Sequence, residues 1–215
     1  MSYYFISDDR FFLLALQDLP FNPKGDISFL HTSDMSQSVN ILYGDVIILN
    51  IHNINERHRI MSIPAMNFCR IIMLIENVRH NIQIEDFCGK FPWILPAKIT
   101  FKDLIFFLSL AKQFPVTYKT ITARERQLFH YLENEYPLPH LVSVMGLTTK
   151  SLYALRRGGI VKFGLQECNS TAVLIFRDIA KINAKTTHSN SGVTHPDRLV
   201  VPSKRTKIML SKAGK

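Results

Sequence analysis

Lys150, Tyr153, Arg156 and Arg157 lie close together, and each can bind an anion or the edge of a base. On a helix their spacing turns them outward while Leu152 and Leu155 turn inward. The chemistry this offers is recognition. An arginine can donate two parallel hydrogen bonds to guanine O6 and N7, or it can hold a phosphate as a planar cation. Arg157 is open to either role, with Tyr153 and Ala154 beside it. Lys150, near the helix start, and Arg156 suit phosphate. No nucleophile–base set, metal-ligand cluster or phosphate loop stands out elsewhere, which argues against an enzyme.

These side chains need a rigid mount, and the preceding residues supply its parts. Thr122 has Glu125 three residues on, the arrangement in which hydroxyl and carboxylate cap a helix start reciprocally. Leu128, Phe129 and Leu132 then give an apolar stripe. Pro137 and Pro139 interrupt the pattern, and a proline is tolerated in a first helical turn. Leu141, Val142, Val144 and Met145 form a short second helix ending at Gly146. Leu147 can pack inward, and Thr148 or Thr149 can cap the helix that carries Lys150 to Arg157. A short helix, a turn containing Gly and a polar-capped second helix make a helix-turn-helix. Gly158-Gly159 costs roughly 0.8–1 kcal/mol per Gly relative to Ala, so the second helix is expected to be short or frayed at its C-terminal end.

From Ile121 to Leu165 the chain resembles the DNA-binding domain of LuxR-type transcription regulators. That family opens with Leu-Thr-x-Arg-Glu and closes with Lys-Leu-Gly-Val; here Ile121-Thr122-Ala123-Arg124-Glu125 and Lys162-Phe163-Gly164-Leu165 stand at those places without a gap. Leu141-Val142 falls at the family's Ile-Ala, Thr148 at its Ser or Thr cap, and Ser151-Leu152 at its Thr-Val. Glu135 departs from a usual Gly and Leu155 from a common His. The resemblance implies an all-α, four-helix domain over 116–183 that binds double-stranded DNA. It implies contacts from Thr149, Lys150, Tyr153, Ala154, Arg156, Arg157 and Lys162. The fourth helix, about Ser170 to Ile182, shows Val173, Leu174, Phe176, Ile179 and Ile182 on a broad apolar face. In the family this helix also mediates dimerisation, which would match a palindromic operator; a purely intramolecular role is the alternative.

Residues 1–115 read as strands alternating with helices: Tyr3 to Ser7, Ile27 to His31, Asp45 to Ile51, Arg70 to Ile75 and Trp93 to Leu95 as strands, Arg10 to Leu19 (stopped by Pro20) and Phe101 to Lys112 as helices. Continuous β-branched runs such as Val46-Ile47-Ile48 suit buried parallel strands, so a doubly wound α/β domain is expected. The order, with Asp8-Asp9 after the first strand, resembles a response-regulator receiver domain. That resemblance places an acidic, Mg2+-binding pair at Asp8 and Asp9 and a phosphoacceptor at Asn50, where the family's Asp-Val-Val-Leu-Leu-Asp reads Asp45-Val46-Ile47-Ile48-Leu49-Asn50. An amide cannot form an aspartyl phosphate. The supporting hydroxyl position falls on Ile75 and the lysine position on Pro96, with Lys98 two residues late. The resemblance therefore implies a degenerate receiver without phosphotransfer. Asp8 and Asp9 are either a residual pair or a solvated loop. Leu104 to Leu110 is read as a core helix or a partner-docking platform.

Charge is segregated. Residues 1–115 carry net −1, residues 116–183 net +4 and residues 184–215 net +6, which together make the +9 of the chain. Such basicity gives salt-dependent DNA affinity through counterion release, or else simply aids solubility. The tail from 184 holds few large apolar residues besides Leu199-Val200-Val201 and is expected to be flexible. Cys69, Cys88 and Cys168 show no paired spacing, and the eight His are scattered, so no metal site, disulfide or cofactor is expected. No signal peptide or run of about 18 apolar residues is present, pointing to a cytoplasmic, nucleoid-associated bacterial protein and no membrane contact. Two function classes carry weight. One is a DNA-binding regulator acting as a dimer; the other is an interaction protein that heterodimerises with a related regulator and touches DNA little.

Overall fold

The computed structural model describes residues 1–18, 25–35, 40–78, 89–168 and 170–186, with the backbone alone for 183–186. Pro20, Cys88 and the basic tail beyond 186 lie outside the described residues. Among the described residues five strands form one sheet: β1 (Tyr3–Ser7), β2 (Ile27–His31), β3 (Val46–Asn50), β4 (Arg70–Ile75) and β5 (Trp93–Pro96). Their order is β2-β1-β3-β4-β5, and every neighbouring pair runs parallel. The chain thus winds outward from β1 to β2 and then back across to β3, β4 and β5, which is the doubly wound arrangement. The inner strands β1, β3 and β4 are built largely from apolar residues because both of their faces are covered, while the edge strand β2 is half-buried.

The two-residue period of the strands divides those side chains between two cores. Tyr3, Phe5, Val46, Ile48, Ile72, Leu74, Trp93 and Leu95 face α1 (Arg10–Gln17) and α3 (Phe101–Ala111). Leu104, Phe107, Leu108 and Ala111 of α3 are buried there. The apolar face of α3 is therefore filled by its own sheet, and only Phe106 among its large apolar side chains is exposed. The platform reading of Leu104 to Leu110 yields to the core reading.

On the other face, Ile6, Ile47, Leu49, Ile71 and Met73 meet Ile60 and Met61 of α2 (Ile54–Met61) and Met66 of the 3-10 turn Pro64–Phe68. Between β2 and β3 the described residues hold only a 3-10 turn, Thr32–Asp34. The C-terminal half supplies further cover. Among the described residues its helices are α4 (Ala123–Glu133), α5 (Leu138–Met145), α6 (Thr149–Lys162) and α7 (Thr171–Thr186). Ala172, Ile175, Phe176, Ile179 and Ile182 of α7 belong to the same apolar cluster as the sheet face and α2. Each fully buried large side chain of this kind is worth roughly 1.5–3 kcal/mol. α7 also runs past the expected 183 boundary. The link into α4 is held as well, since Phe91 donates to the Thr117 carbonyl at 2.7 Å and Lys119 donates to that of Phe91 at 2.8 Å.

The caps read from the sequence form. Glu125 N–H donates to Thr122 Oγ1 at 3.1 Å, and Thr122 N–H donates to the Glu125 carboxylate at 2.7 Å. Gly146 ends α5 with φ +60°, and Thr148 caps α6 by accepting from Ser151 N–H. Glu135, where the LuxR-type pattern has Gly, sits at φ +55°, a left-handed conformation that costs a residue with a Cβ about 1–2 kcal/mol.

One expectation fails. α6 continues without a break through Gly158-Gly159 to Lys162. Gly159 is buried where α6 crosses α4 and α7, and a Cβ there would stand 2.8 Å from Phe129 Cε2 and 3.1 Å from Phe176 Cε2. Phe129 and Phe176 stack with centroids 3.6 Å apart, and Phe163 meets Phe176 edge-on. The helix gains this close approach in exchange for its low propensity. A Cβ at Gly158 would meet nothing within 4 Å.

The two glycines should therefore respond oppositely to alanine. Gly158→Ala should stabilise the chain by about 0.8–1 kcal/mol. Gly159→Ala should destabilise it by at least about 1 kcal/mol, since the aromatic stack must move. Urea unfolding of both variants checks this, and a Gly159→Ala protein as stable as the parent would remove the close-approach account.

Candidate nucleic-acid interface

The capped start of α6 and the turn at Gly146 aim one helix face outward. Thr149, Lys150, Tyr153, Ala154 and Arg157 are all exposed on α6, with Tyr153 at 55%. Lys150, Tyr153, Ala154 and Arg157 recur at helical intervals and make one stripe. Val161, 47% exposed, extends it by a further turn; its place four residues after Arg157 was the available sequence signal, obscured by the glycine pair. Leu152 anchors the opposite face on Leu128 of α4 and Leu141 of α5. The arrangement is a cationic and aromatic ridge on a rigid three-helix base.

Two of the expected contact residues differ from the rest. Arg156 lies on the flank of the stripe and is half-buried, its Nε out of reach of any partner among the described residues. Lys162 turns back into the fold. Its Nζ donates to both carboxylate oxygens of Glu125, at 2.6 and 2.8 Å, and to the Thr120 carbonyl at 3.0 Å. It thereby ties the end of α6 to the capping box of α4. Burial pushes the Glu125 carboxyl up, but Lys162 and the Thr122 N–H together outweigh it and hold the group below the usual carboxylate range.

Asp8, Asp9 and Asn50 gather elsewhere, at the C-terminal edge of the sheet. Ser7 and Asn50 are register partners, and Ser7 Oγ donates to the Asn50 carbonyl at 2.7 Å. Asn50 is buried. Ile75 and Pro96 are also register partners and close the same edge with apolar surface. Lys98 is exposed beyond it. Asp9 caps α1 by accepting from Phe11 and Phe12 N–H at 2.8 and 3.3 Å. Asp8 accepts from the backbone N–H groups of His52 and Asn53, the latter at 2.6 Å, and lies 3.3 Å from His52 Nδ1. Burial raises its pKa, yet these hydrogen bonds prevail and leave it below the ordinary value. Both carboxylates thus serve the backbone at the start of a helix. Among the described residues no three His, Cys, Asp or Glu side chains converge as metal ligands. No described helix is long and apolar enough to cross a membrane.

No protein-family model matches the chain, and no curated protein sequence matches it. At low identity the chain is similar to several solved structures. A structure of two RcsB dimers bound to two parallel DNAs is 14% identical, with a TM-score of 0.44 over 82% of this chain and 97% of that one. The RcsB response regulator of Salmonella typhimurium is 14% identical, with a TM-score of 0.35 over 82% of this chain and 97% of that one. The response regulator ChrA of a heme-sensing two-component system is 12% identical, with a TM-score of 0.30 over 84% and 98%. Likenesses this distant say nothing of what the present chain binds.

Proposed function

We propose that the chain is a bacterial transcription regulator that binds double-stranded DNA through α6 without control by phosphorylation. The observation that carries this reading is the uncovered stripe of Lys150, Tyr153, Ala154 and Arg157 on a capped helix. A helix so presented suits the major groove, with Thr149 and Lys150 near the helix start placed for phosphate and Tyr153, Ala154 and Arg157 for base edges. Arg156 is a flanking phosphate contact. Lys162, engaged by Glu125, contributes chiefly by fixing the end of α6. The net charge of +4 over 116–183 supplies the sequence-independent part of the affinity. So short a reading head favours two copies on a two-fold operator. The site of action is the cytoplasm, at the nucleoid. A frayed α6 would favour the alternative, a partner protein that touches DNA little; the unbroken α6 supports direct binding instead.

Phosphorylation independence rests on the sheet edge. An amide stands at Asn50, apolar residues at Ile75 and Pro96, and the carboxylates of Asp8 and Asp9 are engaged as helix-start acceptors.

Two measurements follow. Arg157→Ala should weaken binding to a selected DNA site by ~1–3 kcal/mol if Arg157 reads a base, relaxing discrimination at one position. If it holds phosphate, affinity should fall evenly on all sequences and the salt slope should shrink by about one contact. Fluorescence anisotropy of the full chain with Arg157→Ala and Tyr153→Ala decides, and unchanged affinity for every DNA would overturn the DNA-binding reading. Separately, incubation with a small phosphodonor and Mg2+ should leave no acid-labile phosphoryl group on the chain. One mapped to the Asp8–Asp9 loop or near Asn50 would end the phosphorylation-independent reading.

A further inference from the structure

Two of the buried charges, Arg57 and Asp178, meet where the two halves touch. Asp178 on α7 has no exposed surface. Its carboxylate accepts from Arg57 Nε at 2.7 Å, and His58 Nδ1 lies 3.0 Å away, both residues being on α2. Arg177 Nε donates to it at 2.8 Å. Arg177 also reaches Glu133 of α4 and the Ile54 carbonyl of α2, each at 3.4 Å. Arg57 is only 5% exposed; its remaining hydrogen bond, to the Ile51 carbonyl, is long at 3.4 Å, and its Nη2 meets no partner among the described residues.

We propose that Asp178 is a charge latch that holds α7 against α2 and thereby makes the two halves open and close as one unit. The reason lies in what its removal leaves behind. Without the Asp178 carboxylate, the Arg57 guanidinium stays in an apolar cluster with no anion, and an uncompensated buried cation is far more costly than a lost attraction. Arg57 can regain water only if α7 lifts from α2. That movement also uncovers Ile175, Ile179 and Ile182 together with the sheet residues they share a core with. The same geometry predicts a compensated state. Replacing Asp178 and Arg57 by apolar side chains of similar volume removes the two most deeply buried charges and keeps the interface closed, as buried ion pairs elsewhere allow; Arg177 retains Glu133 and the Ile54 carbonyl, and His58 is partly open to water. The inference does not depend on DNA binding, and its readout involves no DNA.

Hydrogen exchange on the full chain, read over peptides from α2, α7 and the strands, tests it. In the parent protein α2 and α7 should exchange together and slowly. Asp178→Asn should speed exchange across α2 and α7 by on the order of a hundredfold or more, while β1 and β3 keep their protection. It should also bind an apolar dye that the parent does not. The double variant Arg57→Met with Asp178→Leu should return exchange and dye binding to parent behaviour. Parent-like exchange in Asp178→Asn overturns the latch. So does a double variant as open as the single one, and this arm decides the matter even if Asp178→Asn loses its fold entirely.

Discussion

Helix α7 is buried from two sides, and the rest of the molecule is arranged around that constraint. On one side Phe176 stacks on Phe129 and meets Phe163, which lets α6 approach as closely as Gly159 permits. On the other side Asp178 engages Arg57, and α7 shares an apolar cluster with the sheet. One element therefore sets both the spacing of the helix-turn-helix and its seat on the α/β half. The outward face of α6 is what remains after those contacts are made. Its rigidity is inherited from packing; propensity alone would not supply it, since Gly158 and Gly159 sit within the helix.

Much of this was legible in the sequence. Tyr3–Ser7 and Arg70–Ile75 form as strands at the residues expected, because strands buried on both faces leave a largely apolar run; Ile27–His31, half-buried at the sheet edge, also forms where expected. The capping box of Thr122 and Glu125 and the turn at Gly146 were equally readable, being local in chain and in space. The exposed stripe of α6 followed from its period. What could not be read depends on partners far away in the chain. Gly159 makes sense only once Phe129 and Phe176 stand beside it. Lys162 carries no sign that it will turn toward Glu125. Nothing local to Asp178 announces Arg57, 121 residues earlier. Apolarity alone likewise left α3 open between core and docking surface, until Leu104, Phe107 and Leu108 were seen packed on the sheet.

At the sheet edge, where phosphotransfer is proposed to be lost, the residues still serve the fold. Asp8 and Asp9 stay useful because a carboxylate at a helix start satisfies N–H groups that lack partners within the helix. Asn50, Ile75 and Pro96 need only fill space. The α/β half contributes core and charge contacts to the helical half, and the outward face of α6 is held by that packing.

The proposed role of α6 is to meet DNA. Site-specific photo-cross-linking tests it most directly, with a photoreactive phenylalanine analogue placed at Tyr153 on α6 or at Phe11, 82% exposed on α1. With the full chain bound to DNA, the analogue at Tyr153 should capture the duplex and that at Phe11 should not. Capture from Phe11 with none from Tyr153 would contradict the account.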